Sequence, residues 1–373
     1  GAHLIADMIA HGRRIGITGP SHQVIAHLVD AVLAVLDKSG MHTTAIQKVS
    51  HVKQAGTHPA ILAQTDNRKA FKTFTETAAK IIAGTTWLFS RPEWENALDV
   101  LIIDEAGQVP LAYALAVAPS TQAMLLLGDP QQLTQPILAS HPPGADASVL
   151  AHLMHGQETI AAHDGIFLEK SWRMHPLLSR YIGAIAYHHR LSSMPGCALQ
   201  RLDGTDWLSG AGLRFYPVSH NGRRVTSPEE VHAIVACIHQ LLGRNWTDRQ
   251  GHVHLLTLQD ILVVSPYNAQ VNRLKRQVPA GVRCGTVDKF QGQEAPVVLY
   301  SLTTSTLEED TVHGPEFLLD IHRLNVAISR AQILAVLFAN PQILQGPVDS
   351  VEALAMLNAL CAFVAQAQTA PPN

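Results

Sequence analysis

The stretch Leu101-Ile102-Ile103-Asp104-Glu105-Ala106-Gly107-Gln108 joins three apolar residues directly to two adjacent carboxylates. A continuous apolar run of this kind is typical of a strand that is buried on both faces of a parallel sheet. Ligands of such sheets bind at the carboxyl ends of the strands, which is where the two acids lie. Because consecutive strand side chains point to opposite faces, one carboxylate could hold a hydrated Mg²⁺ while the other orients or deprotonates a water. An isolated pair would instead favour a polar strand exit with an acidic cap for the next helix.

The composition indicates an ordinary globular protein. The 373 residues suffice for two domains, and 47% of them are apolar while 15% are charged. The longest apolar run, Ala353 to Ala365, is too short for a membrane span and is interrupted by Asn358, so we expect no membrane partner. The four cysteines are far apart and lack metal-ligand spacing, which suits a reducing cytoplasm. The net charge of −3 argues against nucleic-acid binding by bulk charge but is compatible with a local basic track.

Histidine is abundant, with 21 residues, and two pairs need to be weighed as metal ligands. His152 and His155 lie three apart on a predicted helix, whereas His188 and His189 are adjacent. Neither pair has a cysteine or carboxylate partner at ligand spacing, so surface or core histidines are favoured over a metal site.

Predicted strands alternate with predicted helices along the whole chain, which indicates parallel α/β sheets. The predicted strands cover residues 14–18, 81–89 (one or two short strands), 101–103, 124–127, 213–217, 261–264, 282–286, 297–302 and 333–338. The predicted helices cover residues 2–10, 22–36, 68–79, 111–118, 176–187, 228–242, 268–276, 321–329 and 350–367. His141-Pro142-Pro143-Gly144 is the predicted linker region, which leads to domains at 1–140 and 141–347. A C-terminal helix and tail occupy 348–373, and residues 369–373 are expected to fray.

Five further polar stretches follow predicted strands or turns. They are Gly128-Asp129-Pro130-Gln131-Gln132, Lys170-Ser171-Trp172-Arg173-Met174-His175-Pro176, Ser265-Pro266-Tyr267-Asn268-Ala269-Gln270, Thr286-Val287-Asp288-Lys289-Phe290-Gln291-Gly292-Gln293-Glu294 and Arg323-Leu324-Asn325-Val326-Ala327-Ile328-Ser329-Arg330-Ala331. In this order, and together with the Asp-Glu stretch, they resemble the motifs of superfamily 1 helicases and, among these, the Upf-like group. Each motif is weak to moderate by itself, but six in the right order are specific, and the likeness runs from Gly16 to Asn340. The resemblance implies two RecA-like α/β domains with parallel sheets, as in the helicase cores of P-loop NTPases.

The resemblance also implies an ATP site that uses Mg²⁺ and lies at the interface of the two domains. Asp104 would hold Mg²⁺, Glu105 would activate the attacking water, and Gln132 would sense the γ-phosphate. Arg173 and Arg330 would be arginine fingers from the second domain, because their planar forks can neutralise charge on a transferring phosphoryl group. If the motif is considered alone, Arg330 could instead be a positive charge that complements the dipole at a helix C-terminus.

Three residues of the later motifs are implied to bind the rest of the nucleotide. Trp172 occupies the place where this family puts an aromatic residue against the adenine. Glu294 would accept a hydrogen bond from the ribose, and Gly292 of the same motif is assigned to the same site. Trp172 could instead be a core residue.

Single-stranded DNA or RNA is implied to cross both domains, and the sequence leaves the choice between them open. Hydroxyl groups and backbone amides at strand ends suit phosphate contacts, and Tyr267 could stack on a base. The candidate contacts are Thr18, Ser21 and Thr85 in the first domain, and Pro266, Tyr267, Thr286 and Asp288 in the second. The expected function is an ATP-dependent helicase or translocase, with 5′ to 3′ polarity by family resemblance.

One departure from the family pattern concerns the phosphate loop. No Gly-x-x-x-x-Gly-Lys-Ser/Thr stretch occurs in the sequence. We therefore expect that the chain begins just after that loop, that it is a fragment with little activity alone, and that a nuclease domain could precede it. Two alternatives remain: a non-hydrolysing nucleic-acid-binding module, and the helicase part of a nuclease-helicase.

Overall fold

A computed structural model describes residues 1–133, 147–290, 292–309 and 314–371 of the chain. The chain divides into two compact units, Gly1–Gln157 (unit 1) and Glu158–Asn373 (unit 2). The predicted linker, with the predicted boundary between residues 140 and 141, lies outside the described residues. The C-terminal helix and tail belong to unit 2.

Unit 1 is an alternation of helices and strands. Its helices are α1 (Ala2–Ala10), α2 (His22–Lys38), α3 (Asn67–Glu76), α4 (Thr86–Phe89), α5 (Leu111–Val117) and α6 (Val149–Leu153). Its strands are β1 (Ile15–Thr18), β2 (Ala45–Lys48), β3 (Ile61–Gln64), β4 (Ile81–Ala83), β5 (Leu98–Ile103) and β6 (Thr121–Leu126). The strands form one sheet in the order β3-β2-β4-β1-β5-β6, and every pairing is parallel.

The apolar run that ends β5 lies in the interior of this sheet. Leu101, Ile102 and Ile103 are fully buried, because β5 pairs with β1 on one side and β6 on the other while helices cover the faces. Ser21 begins α2, and its Oγ accepts a hydrogen bond from the main-chain N–H of Val24 at 3.2 Å. This is the N-cap that the sequence predicts.

Unit 2 repeats the architecture with additional short strands. Its helices are α7 (Pro176–Ala186), α8 (Pro228–Leu241), α9 (Asn268–Gln277), α10 (Pro315–Leu319), α11 (Ile321–Ser329) and α12 (Val351–Gln366). Its strands are β7 (Lys170–Ser171), β8 (Ser192–Ser193), β9 (Arg201–Leu202), β10 (Gly212–Pro217), β11 (Asn245–Thr247), β12 (Val253–Leu255), β13 (Ile261–Ser265), β14 (Arg283–Thr286), β15 (Ala295–Ser301), β16 (Ala331–Ala339) and β17 (Gln368–Thr369).

The large sheet of unit 2 has the order β14-β13-β15-β16-β10-β17, and all of its pairings are parallel. A small antiparallel sheet, β12-β11-β9, and the pair β7-β8 accompany it. Two large parallel sheets therefore confirm the predicted α/β fold class. Among the described residues, no helix combines the length and the apolar character that a membrane span requires.

One local prediction is confirmed and another was wrong. The stretch 81–89 contains one short strand, β4, and its residues 86–89 form helix α4, in which the N–H of Leu88 donates to the Thr85 carbonyl at 2.9 Å. The start of the tail is not frayed, because Gln368 and Thr369 add an edge strand beside β10. The N–H of Ala370 extends this pairing to the Phe215 carbonyl at 2.8 Å.

Candidate nucleotide and nucleic-acid sites

Asp104 and Glu105 lie at the carboxyl end of β5, where the sequence places them, but for a different geometric reason. The strand ends at Ile103, and Glu105 has left-handed backbone angles, φ 51° and ψ 44°. A tight helical turn over Ala106–Gln108 follows. Asp104 and Glu105 therefore lie at a turn after the strand, so the alternation of strand side chains does not set their directions. Left-handed angles are uncommon for a residue with a side chain, so the surrounding fold must hold Glu105 there.

The turns after β5 and β6 meet through their main chains. The N–H of Ala106 donates to the Leu127 carbonyl at 2.8 Å. A Cβ atom on Gly107 would lie 2.5 Å from the Asp129 carbonyl oxygen, and one on Gly128 would lie 2.7 Å from the Ala106 nitrogen. Only glycine allows so close an approach. The two predicted motifs are thereby brought to one edge of the sheet.

Gln132 is held by its own loop. Its side-chain amide Nε2 donates to Asp129 Oδ2 at 2.9 Å, while the Gln131 N–H donates to Asp129 Oδ1 at 2.9 Å. The Asp129 carboxylate thus orients both the loop and the amide that is predicted to sense a phosphate. Sequence reasoning gave Asp129 no role, although its side chain makes the bonds that set this geometry.

Asp104 is a half-buried carboxylate. Burial raises its pKa, and the hydrogen bond from the Glu105 N–H at 3.1 Å opposes the rise. A cation would stabilise such a group. Within the described parts of the chain, no cluster of three or more His, Cys, Asp or Glu side chains could form a metal cage. Mg²⁺ commonly binds one or two carboxylates together with waters and substrate phosphates, so Asp104 fits Mg²⁺ held jointly with a nucleotide.

In unit 2, Arg173 and Glu294 are paired with each other. Arg173 Nε donates to Glu294 Oε2 at 2.6 Å, and one of its terminal nitrogens donates to the Ser329 carbonyl at 3.1 Å. Gln332 Nε2 donates to the other Glu294 oxygen at 2.8 Å. Burial alone would raise the pKa of Glu294, but the hydrogen bond and charge of Arg173, with the Gln332 amide, hold it below its ordinary value. A ribose hydroxyl would therefore meet an ionised carboxylate that already has two protein donors.

Gly292 supplies a backbone conformation. Its φ of 77° lies in the left-handed region, and open space surrounds the place where a Cβ would be. The requirement for glycine at this position is therefore conformational rather than steric. The turn closes through the Gln293 N–H, which donates to the Phe290 carbonyl at 3.0 Å, and it leads directly to Glu294.

Trp172 is on the surface, so the alternative that it is a core residue is wrong. Its side chain is 61% exposed. The Arg249 guanidinium lies 5.7 Å from the indole centroid and donates to the Trp172 carbonyl at 2.6 Å, which orients the ring by a cation–π contact. An exposed, oriented indole is available to a planar ligand.

Arg330 is almost entirely buried, with 2% of its surface exposed. Its Nε donates to the Val326 carbonyl at 3.1 Å, and a terminal nitrogen lies 3.4 Å from the Gln293 carbonyl. Val326 belongs to the last turn of α11. The positive charge of Arg330 therefore does complement the C-terminal end of that helix, which is the alternative to an arginine finger. A second terminal nitrogen of the guanidinium lies 3.4 Å from Ser329 Oγ, so the side chain is anchored at several points.

Of the first-domain candidates for nucleic-acid contact, Thr18 is the most deeply buried. It is the last residue of β1 and fully buried, and its Oγ1 has no hydrogen-bond partner among the described residues. A nucleic-acid strand cannot reach this hydroxyl directly, so the predicted contact at Thr18 would have to involve its main chain. Ser21 is exposed and Thr85 is half-buried, so both remain accessible.

Three of the second-domain candidates are also more buried than the sequence suggests. Pro266, Tyr267 and Thr286 are buried, and the Tyr267 ring packs 5.6 Å from the ring of Phe317. The Tyr267 ring is thus packed inside the unit in this conformation, and stacking of the ring on a base stays a prediction. Asp288 is exposed, with its carboxylate 3.7 Å from Arg323.

Comparison with known proteins places these features in a family. Residues 145–342 match the family model described as AAA domain (AAA_12), which is more than half of the chain. The chain belongs to this family, within the Upf-like branch of the superfamily 1 helicases. The branch that the order of motifs predicted is thereby confirmed.

Three curated relatives illustrate the similarity. Helicase sen1 of Schizosaccharomyces pombe is 27% identical over 265 residues, which cover 66% of this chain and 15% of that protein. The DNA polymerase alpha-associated DNA helicase A of the same organism is 26% identical over 287 residues, covering 70% and 41%. The RNA helicase Mov10l1 of Mus musculus is 29% identical over 285 residues, covering 65% and 23%. The chain thus spans less than half the length of each.

A solved structure of Arterivirus nonstructural protein 10 (helicase) is also similar. It covers 90% of this chain and 56% of its own, with a TM-score of 0.47 and 13% sequence identity.

Proposed function

We propose that this chain is the core of an ATP-dependent helicase or translocase that acts on single-stranded nucleic acid. The observation that carries the proposal is the meeting of the turns after β5 and β6 through Gly107 and Gly128. It gathers Asp104, Glu105 and Gln132 at the carboxyl edge of a parallel sheet, where nucleotides bind in such folds.

Three residues of unit 1 have separate roles in the proposed hydrolysis. Asp104 would hold Mg²⁺, which supplies charge neutralisation at the nucleotide phosphates when bound. Glu105, displaced from the strand direction by its left-handed turn, accepts a proton from the attacking water. Gln132, oriented by Asp129, donates its amide N–H to a phosphate oxygen.

Unit 2 would supply the cationic and aromatic groups. Arg173 and Arg330 present planar guanidinium forks to the charge that develops on the transferring phosphoryl group. Trp172 stacks on the adenine, and Glu294, positioned by the Gly292 turn, accepts from the ribose. Support comes from the geometry of unit 2 itself: Trp172 is exposed and oriented, and Arg173 and Glu294 lie in one hydrogen-bonded cluster.

For nucleic acid, we propose phosphate contacts at Ser21 and Thr85 in unit 1. Their counterparts in unit 2 are main-chain groups near Pro266 and Thr286, since those side chains are buried, together with the exposed loop at Asp288. The names of the relatives include both DNA and RNA helicases, so the proposal covers both polymers.

The proposed compartment is the reducing cytoplasm. All four cysteines are free, and burial raises the pKa of Cys197 and Cys237, which keeps these thiols protonated and unreactive. A structural disulfide therefore contributes nothing to this fold.

The decisive experiment replaces Glu105 by Gln in the natural gene product. The amide keeps the shape of the side chain but cannot accept the proton, so we expect nucleic-acid-stimulated phosphate release to fall by roughly 100-fold or more. ATP binding, measured with a fluorescent analogue, should stay within about twofold because the phosphate contacts remain. The matched control is Glu95→Gln, an exposed carboxylate of the same unit, which should hydrolyse normally. Wild-type turnover by Glu105→Gln would contradict the assignment.

The 373-residue chain should hydrolyse ATP slowly by itself. No Gly-x-x-x-x-Gly-Lys-Ser/Thr stretch occurs in it, so the β- and γ-phosphates would lack the amide cradle and lysine of that loop. A phosphate-release assay on the purified 373-residue chain, beside a natural gene product that carries such a loop, measures the difference directly.

A further inference from the structure

A hairpin turn in unit 2 brings an arginine to the indole of Trp172. Strands β11 and β12 are antiparallel, and residues 248–252 join them. Arg249 lies in this turn, is exposed to solvent, and belongs to none of the six motif stretches. Its guanidinium lies over the Trp172 ring, 5.7 Å from the centroid, and one of its terminal nitrogens donates to the Trp172 carbonyl at 2.6 Å. A single side chain therefore contacts both the ring and the main chain of a residue 77 positions earlier.

Asp248 fixes the shape of this turn. Its Oδ1 atom accepts hydrogen bonds from the main-chain N–H groups of Gln250 at 2.8 Å and His252 at 2.9 Å. The Asp248 N–H donates to the His252 carbonyl at 2.9 Å, and Gly251 supplies a left-handed φ of 88°. Because an aspartate that bonds the backbone two residues on stabilises a tight turn, Asp248 sets the direction in which Arg249 leaves the hairpin.

The hairpin is also packed against the segment that carries Trp172. A tight helical turn follows β8, and a Cβ atom on its Gly196 would lie 2.8 Å from the Arg249 carbonyl oxygen. A side chain at this position would push the two segments apart, so glycine permits their close approach. Met194, where the same helical turn begins, donates its N–H to the carbonyl of Ser171 at 2.9 Å. Since Ser171 directly precedes Trp172, this helical turn connects the hairpin with the backbone that carries the indole.

The contact leaves most of the indole available to a ligand. Trp172 is 61% exposed although Arg249 lies over its ring. Arg173, next in the chain, pairs with Glu294, so the exposed ring adjoins the cluster that would bind phosphate and ribose. Burial raises the pKa of Glu294, but Arg249 is among the positive charges that hold it below its ordinary value. The arginine of the hairpin is therefore close to the Glu294 carboxylate as well as to the indole.

We propose that Arg249 positions Trp172 for the adenine: the guanidinium lies on one face of the indole and holds the ring so that the base stacks on the other. An unrestrained side chain loses rotamer freedom when a ligand binds, and Arg249 removes that loss by ordering the ring beforehand. Arginine suits this task because its planar group can lie on an aromatic face and still donate hydrogen bonds from its edge. The inference rests on the proposed function and deepens it, because it adds a positioning residue to the adenine site.

The test is ATP hydrolysis by the natural gene product with Arg249→Met, which keeps a long side chain without the charge. The KM for ATP should rise about 3- to 10-fold because the ring is no longer ordered in advance, while kcat stays unchanged. Arg249→Lys keeps a cation that can lie over the indole, so it should recover part of the loss. The matched control is Arg201→Met, which removes an exposed arginine on β9 of the same small sheet and should keep the wild-type KM.

Two further measurements separate positioning from direct binding of the nucleotide. In a Trp172→Ala background, Arg249→Met should raise the KM no further, because the arginine acts through the ring. Inorganic tripolyphosphate has no base, so it should inhibit the wild type and Arg249→Met with the same constant. An unchanged KM in Arg249→Met, a further rise in the double variant, or weaker inhibition by tripolyphosphate would overturn the inference.

The single variant Trp172→Ala distinguishes failure of this inference from failure of the proposed function. If Arg249 alone is misassigned, Trp172→Ala still raises the KM for ATP. A KM that Trp172→Ala leaves unchanged would remove the adenine site of the proposed function, and the inference with it.

Discussion

At the scale of single residues, the same arginine serves the fold and the proposed chemistry. Arg330 is buried and donates to the carbonyls of Val326 and Gln293, so it closes the end of α11 and binds the motif that carries Glu294. A substitution that removes the whole side chain would combine a structural loss with a catalytic one. A test of its catalytic role must therefore keep the positive charge.

We predict that Arg330→Lys lowers kcat for ATP hydrolysis by roughly 100-fold while ATP affinity changes little. Lysine keeps the positive charge, but its single ammonium cannot replace the planar guanidinium, which would donate hydrogen bonds to main-chain carbonyls and to the phosphoryl group at once. The measurement is steady-state phosphate release in the natural gene product, with the thermal midpoint recorded beside it. A matched control is Arg180→Lys on α7, an exposed arginine outside the motifs. If Arg330→Lys kept normal turnover, unit 2 would not complete the active site through this residue.

At the scale of elements, a buried polar network joins the start of α8 to the end of β15. The Glu230 side chain is fully buried and accepts from Ser301 Oγ at 2.5 Å and from the Thr303 N–H at 3.0 Å. His220 Nε2 lies 3.1 Å from the same carboxylate, and its other ring nitrogen lies 2.8 Å from Ser305 Oγ. Because Thr303 has a left-handed φ of 69°, the carboxylate also holds a strained turn at the carboxyl edge of the second sheet.

Glu230→Ala should lower the free energy of unfolding by about 2–4 kcal/mol, since it leaves several buried donors without an acceptor. The neighbouring residue offers a matched control. Glu229→Ala removes a partly exposed pair with Arg223 and a hydrogen bond from Ser227 Oγ at 3.0 Å, and it should cost much less. Urea unfolding followed by circular dichroism measures both. Equal effects of the two substitutions would show that the buried network adds no stability of its own.

A second link between elements should make stability depend on pH. Arg244, after α8, donates to both carboxylate oxygens of Asp206, one at 2.7 Å, and this is the largest reason that the pKa of Asp206 falls to about 2. An acid with a depressed folded-state pKa stabilises the fold above its unfolded pKa of about 3.9, and this stabilisation is lost as the pH falls towards 2.

Arg244→Met should therefore be less stable than the wild type at pH near 5, and the difference should shrink by pH near 3. Since Asp206 is partly exposed, solvent screening keeps the difference small. Urea midpoints of both proteins at each pH measure it. Arg201→Met, which removes an exposed pair with Asp203, should show no such convergence. A constant difference between Arg244→Met and wild type across this range would rule out the linkage.

At the scale of the whole molecule, each unit has its own sheet and its own apolar core. One core cluster gathers side chains from α1, α2 and the first sheet, and another gathers side chains from α8, α9 and the second sheet. We predict that residues 158–373 fold alone and that the complete chain shows two unfolding transitions. Calorimetry of the fragment and the chain measures this. A fragment without a cooperative transition would show that unit 2 needs unit 1 to fold.

Much of the architecture could be predicted because local chemistry decides it. The run Leu101-Ile102-Ile103 is apolar on both strand faces, so it must lie inside a sheet covered on both sides. Ser21 begins a helix because its hydroxyl satisfies a free N–H of the first turn. Strand alternation with helices then requires parallel sheets, and both large sheets are parallel.

The candidate site could be predicted as a set of residues but not as a geometry. Arg173 and Glu294 were assigned separate tasks, yet they form one ion pair across 121 positions of the chain. Thr18 and Tyr267 were expected at the surface because their motifs follow strands, but packing around the strand ends buries both. Whether a residue is buried depends on which other segments of the chain pack over it, and the motif does not specify those segments.

The sequence by itself determined the class of fold, the two sheets and the residue types of the site, because periodicity, capping and motif order are local properties. Only the tertiary structure decided where side chains are free to act. It gave Glu105 left-handed backbone angles, brought Gly107 and Gly128 close to the main chain of the neighbouring turn, and left Trp172 exposed. Each of these results comes from contacts between segments far apart in the chain, where the space available to one residue is set by another.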